Sequence, residues 1–284
     1  QTTWTFSLAI LMLGLSAGFL GSFAEKIGPK KSGLLAMLFW VTGLLGTAYA
    51  LSIHNLTLLY LFYGIIGGIG LGIGYITPVS TLVKYFPNRP GFATGLAIMG
   101  FGFASLIAGP LMQYLVAQVG LVDTFIILGV IYLVIMGASS LYLKAPQQKH
   151  PTRTSKDRST MYVHTHGMLA NDAMKTWQFG ALWWVFFINI TCGIGLLSLA
   201  SPMAQEAIGM TPTAAASLVG IIGIFNGGGR IAWSTISDYL GRAQTYILFF
   251  IIEIVAFYLL AQTNSALTFQ ILILLIITCY GGGF

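Results

Sequence analysis

Charge is scarce in this sequence. Of its 284 residues only 7% are Asp, Glu, Lys or Arg, while 56% are hydrophobic. A soluble domain carries about 25% charged residues, and a water-soluble fold of this length could not hide so much apolar surface. Strand-like alternation of apolar and polar residues is also missing, which excludes a membrane β-barrel, whose strands alternate over about ten residues. Only two cysteines occur, Cys192 and Cys279, both in apolar segments. They read as small buried hydrophobes, not as a disulfide or a metal pair. The clustered acids, histidines or nucleophiles of a membrane enzyme are absent. So is the interleaving of basic and aromatic residues that marks a nucleic-acid surface, despite a net charge of +6. No enzyme, cofactor, metal site or nucleic-acid partner is expected. The sequence opens on Gln1 with no signal-peptide pattern.

What is present is uninterrupted apolar sequence. Nine segments stand out, at about 4–23, 33–53, 56–83, 91–119, 121–143, 179–203, 213–237, 243–261 and 266–284. Each is long enough to cross roughly 30 Å of hydrocarbon as a helix. Backbone groups in lipid must bond within their own helix, so the expectation is an all-α membrane protein. The last segment ends in CYGGGF, which reads as a chain stopping inside a helix.

Twelve of the thirteen basic residues fall in alternate loops: Lys26, Lys30 and Lys31; Lys84 and Arg89; Lys144, Lys149, Arg153, Lys156, Arg158 and Lys175; and Arg242. The intervening loops, around His54, Asp123, Glu206 and Asn264, hold none. By the positive-inside bias the basic loops, 24–31, 84–90, 144–176 and 238–242, are expected to be cytoplasmic in a multi-pass protein of the inner or plasma membrane. The polar stretch 144–176 reads as a linker between two membrane parts, 1–143 and 177–284. Its His150, His164 and His166 match no zinc spacing and are expected to be solvated.

The sequence repeats. GSFAEKIGPKK at 21–31 and STISDYLGRAQ at 234–244 each place a small residue, an acid four on and a glycine three further on, followed by a base. Glu25 matches Asp238 and Gly28 matches Gly241, at an offset of 213 residues. These loops resemble the signature loop of the major facilitator superfamily, roughly Gly-x-x-x-Asp-x-x-Gly-Arg, after helix 2 and again after helix 8. The match is carried by Gly21, Glu25, Gly28 and Lys30 in the first copy and by Asp238, Gly241 and Arg242 in the second. Glu25 stands for Asp, Pro29 then Lys30 for the arginine, and Ser234 for the leading glycine. GIGLGIGYITPVSTLVKYFPNRPGFATGLAIMGFGFASLIAGP at 70–110, with NGGGR at 226–230, resembles the oxalate/formate antiporter family within it. The resemblance implies a partial twelve-helix bundle made of two six-helix halves. It covers about helices 2 to 10, so that the first half lacks its first helix and the second its last two.

The thirteenth basic residue, Arg230, lies in no loop. Eight residues of helix set it roughly 12 Å from Asp238, near the middle of a core whose half-thickness is about 15 Å. An arginine at that depth costs about 2.5–3.5 kcal/mol on insertion scales and by default faces a cavity or substrate path. The alternative is an ion pair, for which Glu253 is the one other charge deep in a segment. The offset places Ala17 at the equivalent position, so the scaffold does not require a cation there. A guanidinium offers a planar fork that matches a carboxylate, and the resemblance implies that this arginine binds substrate carboxylate. It also implies aromatic residues around a small flat anion, carried over here to Tyr75, Phe101 and Tyr280. Lipid-facing or packing roles are the alternative for each. Asn226, one turn before Arg230, can orient the guanidinium or make an interhelical hydrogen bond. Gly227, Gly228 and Gly229 leave space beside Arg230 for a ligand or a close helix.

The glycine ladder at 64–74 follows no strand and precedes no phosphate-binding Lys, so close helix packing is expected instead. The same is expected of Gly95, Gly100 and Gly109, with Pro110 bending that helix. Glu25 and Asp238 are expected to accept from helix N-termini or basic side chains and so to latch an inner gate. The resulting expectation is an antiporter that exchanges small organic anions such as oxalate or formate by alternating access, working as a monomer in the bilayer. The alternatives are a proton-coupled monocarboxylate symporter, with Glu253 as the acid to test, and a non-transporting membrane sensor.

Overall fold

The computed structural model describes residues 3–145 and 170–283. Among these residues the chain is helical throughout, with nine long helices: α1 (Thr3–Ile27), α2 (Pro29–Ser52), α3 (Leu56–Tyr85), α4 (90–119), α5 (121–142), α6 (Trp177–Glu206), α7 (Pro212–Leu240), α8 (Arg242–Gln262) and α9 (Ala266–Gly282). One further turn, Ala170–Ala173, precedes α6. His150, His164 and His166 lie outside the described residues.

The ends of the helices follow local chemistry. Asn55 accepts from Leu58 N at 3.1 Å, Thr176 from Phe179 N at 3.3 Å and Thr211 from Ala214 N at 3.3 Å, each side chain satisfying an amide that the helix itself leaves open. α4 and α5 run on from one another, and the break is Gly120, at φ 82° and ψ 173°. Pro110 was expected to bend α4. It sits inside the helix, and the break at Gly120 falls between the apolar segments 91–119 and 121–143 read from the sequence.

Gly28 (φ 83°, ψ 160°) and Gly241 (φ 95°, ψ 148°) separate α1 from α2 and α7 from α8. This combination of angles is essentially open to glycine alone. The repeat read from sequence is therefore also a repeat of backbone conformation.

Six helical stretches are long and apolar enough to span a bilayer, and Pro90–Tyr142 contains two of the nine helices. Ala266–Gly282 is apolar but shorter. α7, with its arginine and its glycines, is not among the six, although its 29 residues suffice in length. It is held between other helices.

The glycine ladder behaves as expected. A Cβ on Gly68 would lie 2.8 Å from Ala9 O on α1, and one on Gly70 would lie 2.6 Å from Trp40 N on α2. Opposite sides of α3 thus press on α1 and α2. Residues Tyr60–Gly67 form a π-helical stretch, a local rewinding that the sequence did not announce.

Candidate functional site

The first five helices meet the last four mainly where α4 crosses α7. Three glycines make the crossing close. A Cβ on Gly91 would strike Ser234 O, one on Gly95 would strike Arg230 O, and one on Gly102 would strike the backbone of Gly227. Between them Ile98 is fully buried. Gly100 and Gly109 were expected to share this work, yet each faces open space: Gly100 lies on another side of α4, and Gly109, two turns on from Gly102, has no backbone opposite it. The room left by the glycines before Arg230 is mostly taken by neighbours. Gly227 lies against Phe103 of α4 and Gly229 against the Thr278 backbone of α9, while nothing approaches Gly228.

Arg230 is buried at this crossing, 4% exposed. Its Nε donates to Asn226 Oδ1 at 3.3 Å. Its guanidinium also hydrogen-bonds the Tyr280 side chain of α9 and lies within electrostatic reach of Tyr75 on α3. Tyr75 in turn meets Phe101 of α4 edge to face, ring centroids 5.6 Å apart. Four helices thus bring together all five residues singled out from sequence. Tyr280 and Asn226 are buried, Tyr75 is half-buried and Phe101 is exposed. The Tyr280 ring abuts Gly193 of α6, where any side chain would collide with it. The arrangement sets one fixed positive charge among an amide and two phenols, close to the seam between the two helix groups.

Glu253, the other deep charge, sits elsewhere. It lies on the inner face of α8, within electrostatic reach of Cys192 on α6 and Cys279 on α9. Cys279 is buried and Cys192 is partly exposed.

The signature loops gather at one end of the bundle with the other basic loops. Lys84 Nζ donates to Glu25 Oε1 at 2.9 Å, and Tyr85 OH donates to Lys144 O at 3.1 Å. Gly21 lies on α1, 3.8 Å (as a virtual Cβ) from Ile76 of α3, and Lys30 is exposed on the first turn of α2. Asp238 has a different role. Its two carboxylate oxygens accept from Gly91 N and Phe92 N, both at 2.9 Å, and Oδ1 also accepts from Arg242 Nη2 at 2.6 Å. Burial disfavours its charge, but the two amides and Arg242 outweigh this and hold the carboxyl below its ordinary range.

Asp238 was expected to accept from a helix N-terminus or a base; which helix it caps was not identified from the sequence, though a signal existed. α4 begins at Arg89–Pro90, and Arg89 offers no capping side chain. Uncapped amides at a helix start call for an acceptor from elsewhere. Ser234 and Ser237 were also missed. Ser234 Oγ donates to Arg230 O, and Arg242 donates to Ser237 Oγ, tying the arginine-bearing turn to the loop below it.

A family profile described as Major Facilitator Superfamily matches residues 1–284. The MFS-type transporter YhjX of Escherichia coli is 30% identical over 99% of this chain and 68% of its own length. The oxalate:formate antiporter of Oxalobacter formigenes is 27% identical over 88% of this chain and 57% of its own. Human monocarboxylate transporter 12 is 32% identical over 55% of this chain and 31% of its own. With its multiple membrane helices, its repeated loop and this match across its whole length, the chain belongs to the major facilitator superfamily.

Proposed function

We propose that this chain forms the substrate-binding part of a secondary transporter that exchanges small carboxylates, such as oxalate or formate, by alternating access. The observation that carries the reading is Arg230. It is a buried guanidinium at the α4–α7 seam, oriented by Asn226 and faced by the phenols of Tyr280 and Tyr75. Planar N–H donors suit a carboxylate. The aromatic rings of Tyr75, Phe101 and Tyr280 replace part of the anion's hydration shell.

Exchange follows from the charge. A buried cation resists the passage of the seam from one side to the other, and a bound anion neutralises it, so reorientation is easy only when the site is loaded. The Asp238 latch closes the basic end in the present arrangement and parts in the other. In this reading the basic end is cytoplasmic, 1–143 and 177–284 are the two membrane halves joined by 144–176, and the protein works as a monomer in the inner or plasma membrane.

The test is anion counterflow with the complete protein in liposomes, loaded in turn with formate, oxalate and larger carboxylates. Arg230→Gln should lower anion binding at least tenfold while thermal unfolding in detergent stays close to that of the parent. Arg230→Lys should recover only part of the loss, since an ammonium cannot bridge both oxygens. Binding unchanged in Arg230→Gln would overturn the reading. A second reading, proton-coupled symport of a monocarboxylate, draws on the relatives named monocarboxylate transporter. Uptake driven by a pH gradient without a counter-anion would favour it over exchange.

A further inference from the structure

The anion site uses Arg230 and leaves the second buried charge of the membrane helices unexplained. Glu253 occupies the inward stripe of α8 with Thr245, Phe249, Ala256 and Leu260. It is 5% exposed, and its Oε1 has no hydrogen-bond partner. Among the described residues the ion pairs are Lys84–Glu25, Lys175–Asp172 and Arg242–Asp238, and none involves Glu253.

The groups that face it are as follows. α6 brings Cys192 and α9 brings Cys279, both thiols, while α7 meets this stripe through Trp233, packed edge-on against Phe249. The one cation in the membrane part of these helices, Arg230 of α7, is turned to Asn226 and Tyr280, and among the described residues none forms an ion pair with the carboxyl. An isolated carboxylate in such surroundings is too costly to keep ionised and is neutralised instead.

The repeat shows that the seat does not require an acid. α2 and α8 begin at equivalent positions, Pro29 and Arg242, after glycines of the same conformation. The residue 213 positions before Glu253 is Trp40. There the indole fills the seat against the rings of Tyr63 and Tyr132, centroids 6.1 and 6.0 Å away. One copy of the scaffold is closed with an aromatic ring and the other carries a carboxyl with an unanswered oxygen.

We propose that Glu253 is a proton-binding site of this transporter, distinct from the anion site. In the packed arrangement the carboxyl holds one proton, which satisfies the buried oxygen that no side chain answers. The site stands on its own geometry and does not depend on the choice of anion.

Infrared difference spectroscopy of the complete protein in lipid, titrated from mildly acidic to mildly alkaline pH, tests this. The parent should show the C=O band of a protonated carboxyl at neutral pH, shifted by exchange into heavy water. Glu253→Gln should lose that band. Glu253→Asp, which keeps a titratable group if the amide variant folds poorly, should retain it at a shifted position. A spectrum showing only ionised carboxylate at neutral pH, or a band that survives in Glu253→Gln, would overturn the proposal. Because Arg230 variants are read by anion binding and Glu253 variants by this band, failure of one leaves the other standing.

Discussion

The two signature loops have nearly the same backbone and very different duties. Gly28 and Gly241 share the same unusual dihedrals, and each precedes the helix that follows. Yet the acid of the first copy, Glu25, meets Lys84 within its own helix group, with both side chains about half exposed at 50% and 47%. The acid of the second copy, Asp238, is 9% exposed and caps α4 from across the seam. A repeated motif thus fixes the shape of a turn, while the load on its acid is set by what the rest of the chain brings to it. An exposed pair contributes about 0–1 kcal/mol. A charged acceptor on two helix-terminal amides contributes more, since each charge-assisted bond is worth about 1.5–3 kcal/mol and the helix dipole adds to it.

The largest expected effect is therefore Asp238→Ala. It should lower stability by about 3 kcal/mol, read as an earlier thermal unfolding of the complete protein in detergent, and should loosen crosslinking between α4 and α7. Its pH dependence has a definite sign. The folded carboxyl titrates below its unfolded value of about 4, so the contribution is present above that pH and is lost only as the pH falls through the lower, folded value. Neutral to mildly acidic buffers should leave the α4–α7 crosslink intact, and strong acid should release it.

The next effect separates glycines on one helix. Gly102→Ala must push α4 off the Gly227 backbone and should cost about 1–3 kcal/mol, whereas Gly100→Ala meets nothing and should be neutral or slightly stabilising. Equal melting points for the two variants would remove the close crossing from the account.

Gly28→Ala and Gly241→Ala sharpen the comparison of the loops. Neither added Cβ meets backbone from a neighbouring helix, so both should cost a similar 1–3 kcal/mol, roughly, from backbone strain alone. A much larger cost at Gly241 would show that the Asp238 latch depends on the turn. Smallest is Glu25→Gln, expected at less than about 1 kcal/mol and fading with added salt.

Much of this molecule was legible before any coordinates. Nine apolar runs became nine long helices among the described residues, and Gly28 and Gly241 ended helices where the repeat placed them. Arg230, Asn226, Tyr75, Phe101 and Tyr280 came together, the last two from helices far apart in sequence. Other readings required the fold. Gly100 and Gly95 look alike in sequence, but only Gly95 faces a neighbour. Glu253 was the acid available to Arg230, and the packing seats it beside two cysteines instead.

By itself the sequence determined the membrane helices, their ends and the repeated turn, because apolar length, caps and the steric freedom of glycine act within a few residues. The tertiary structure alone decided which glycines admit another backbone, which acid bridges the helix groups and which carboxyl is left without an answering charge. Those outcomes depend on groups brought within about 3 Å of each other from more than 100 residues away, and such encounters are set by packing, where close contact and exclusion of water act together.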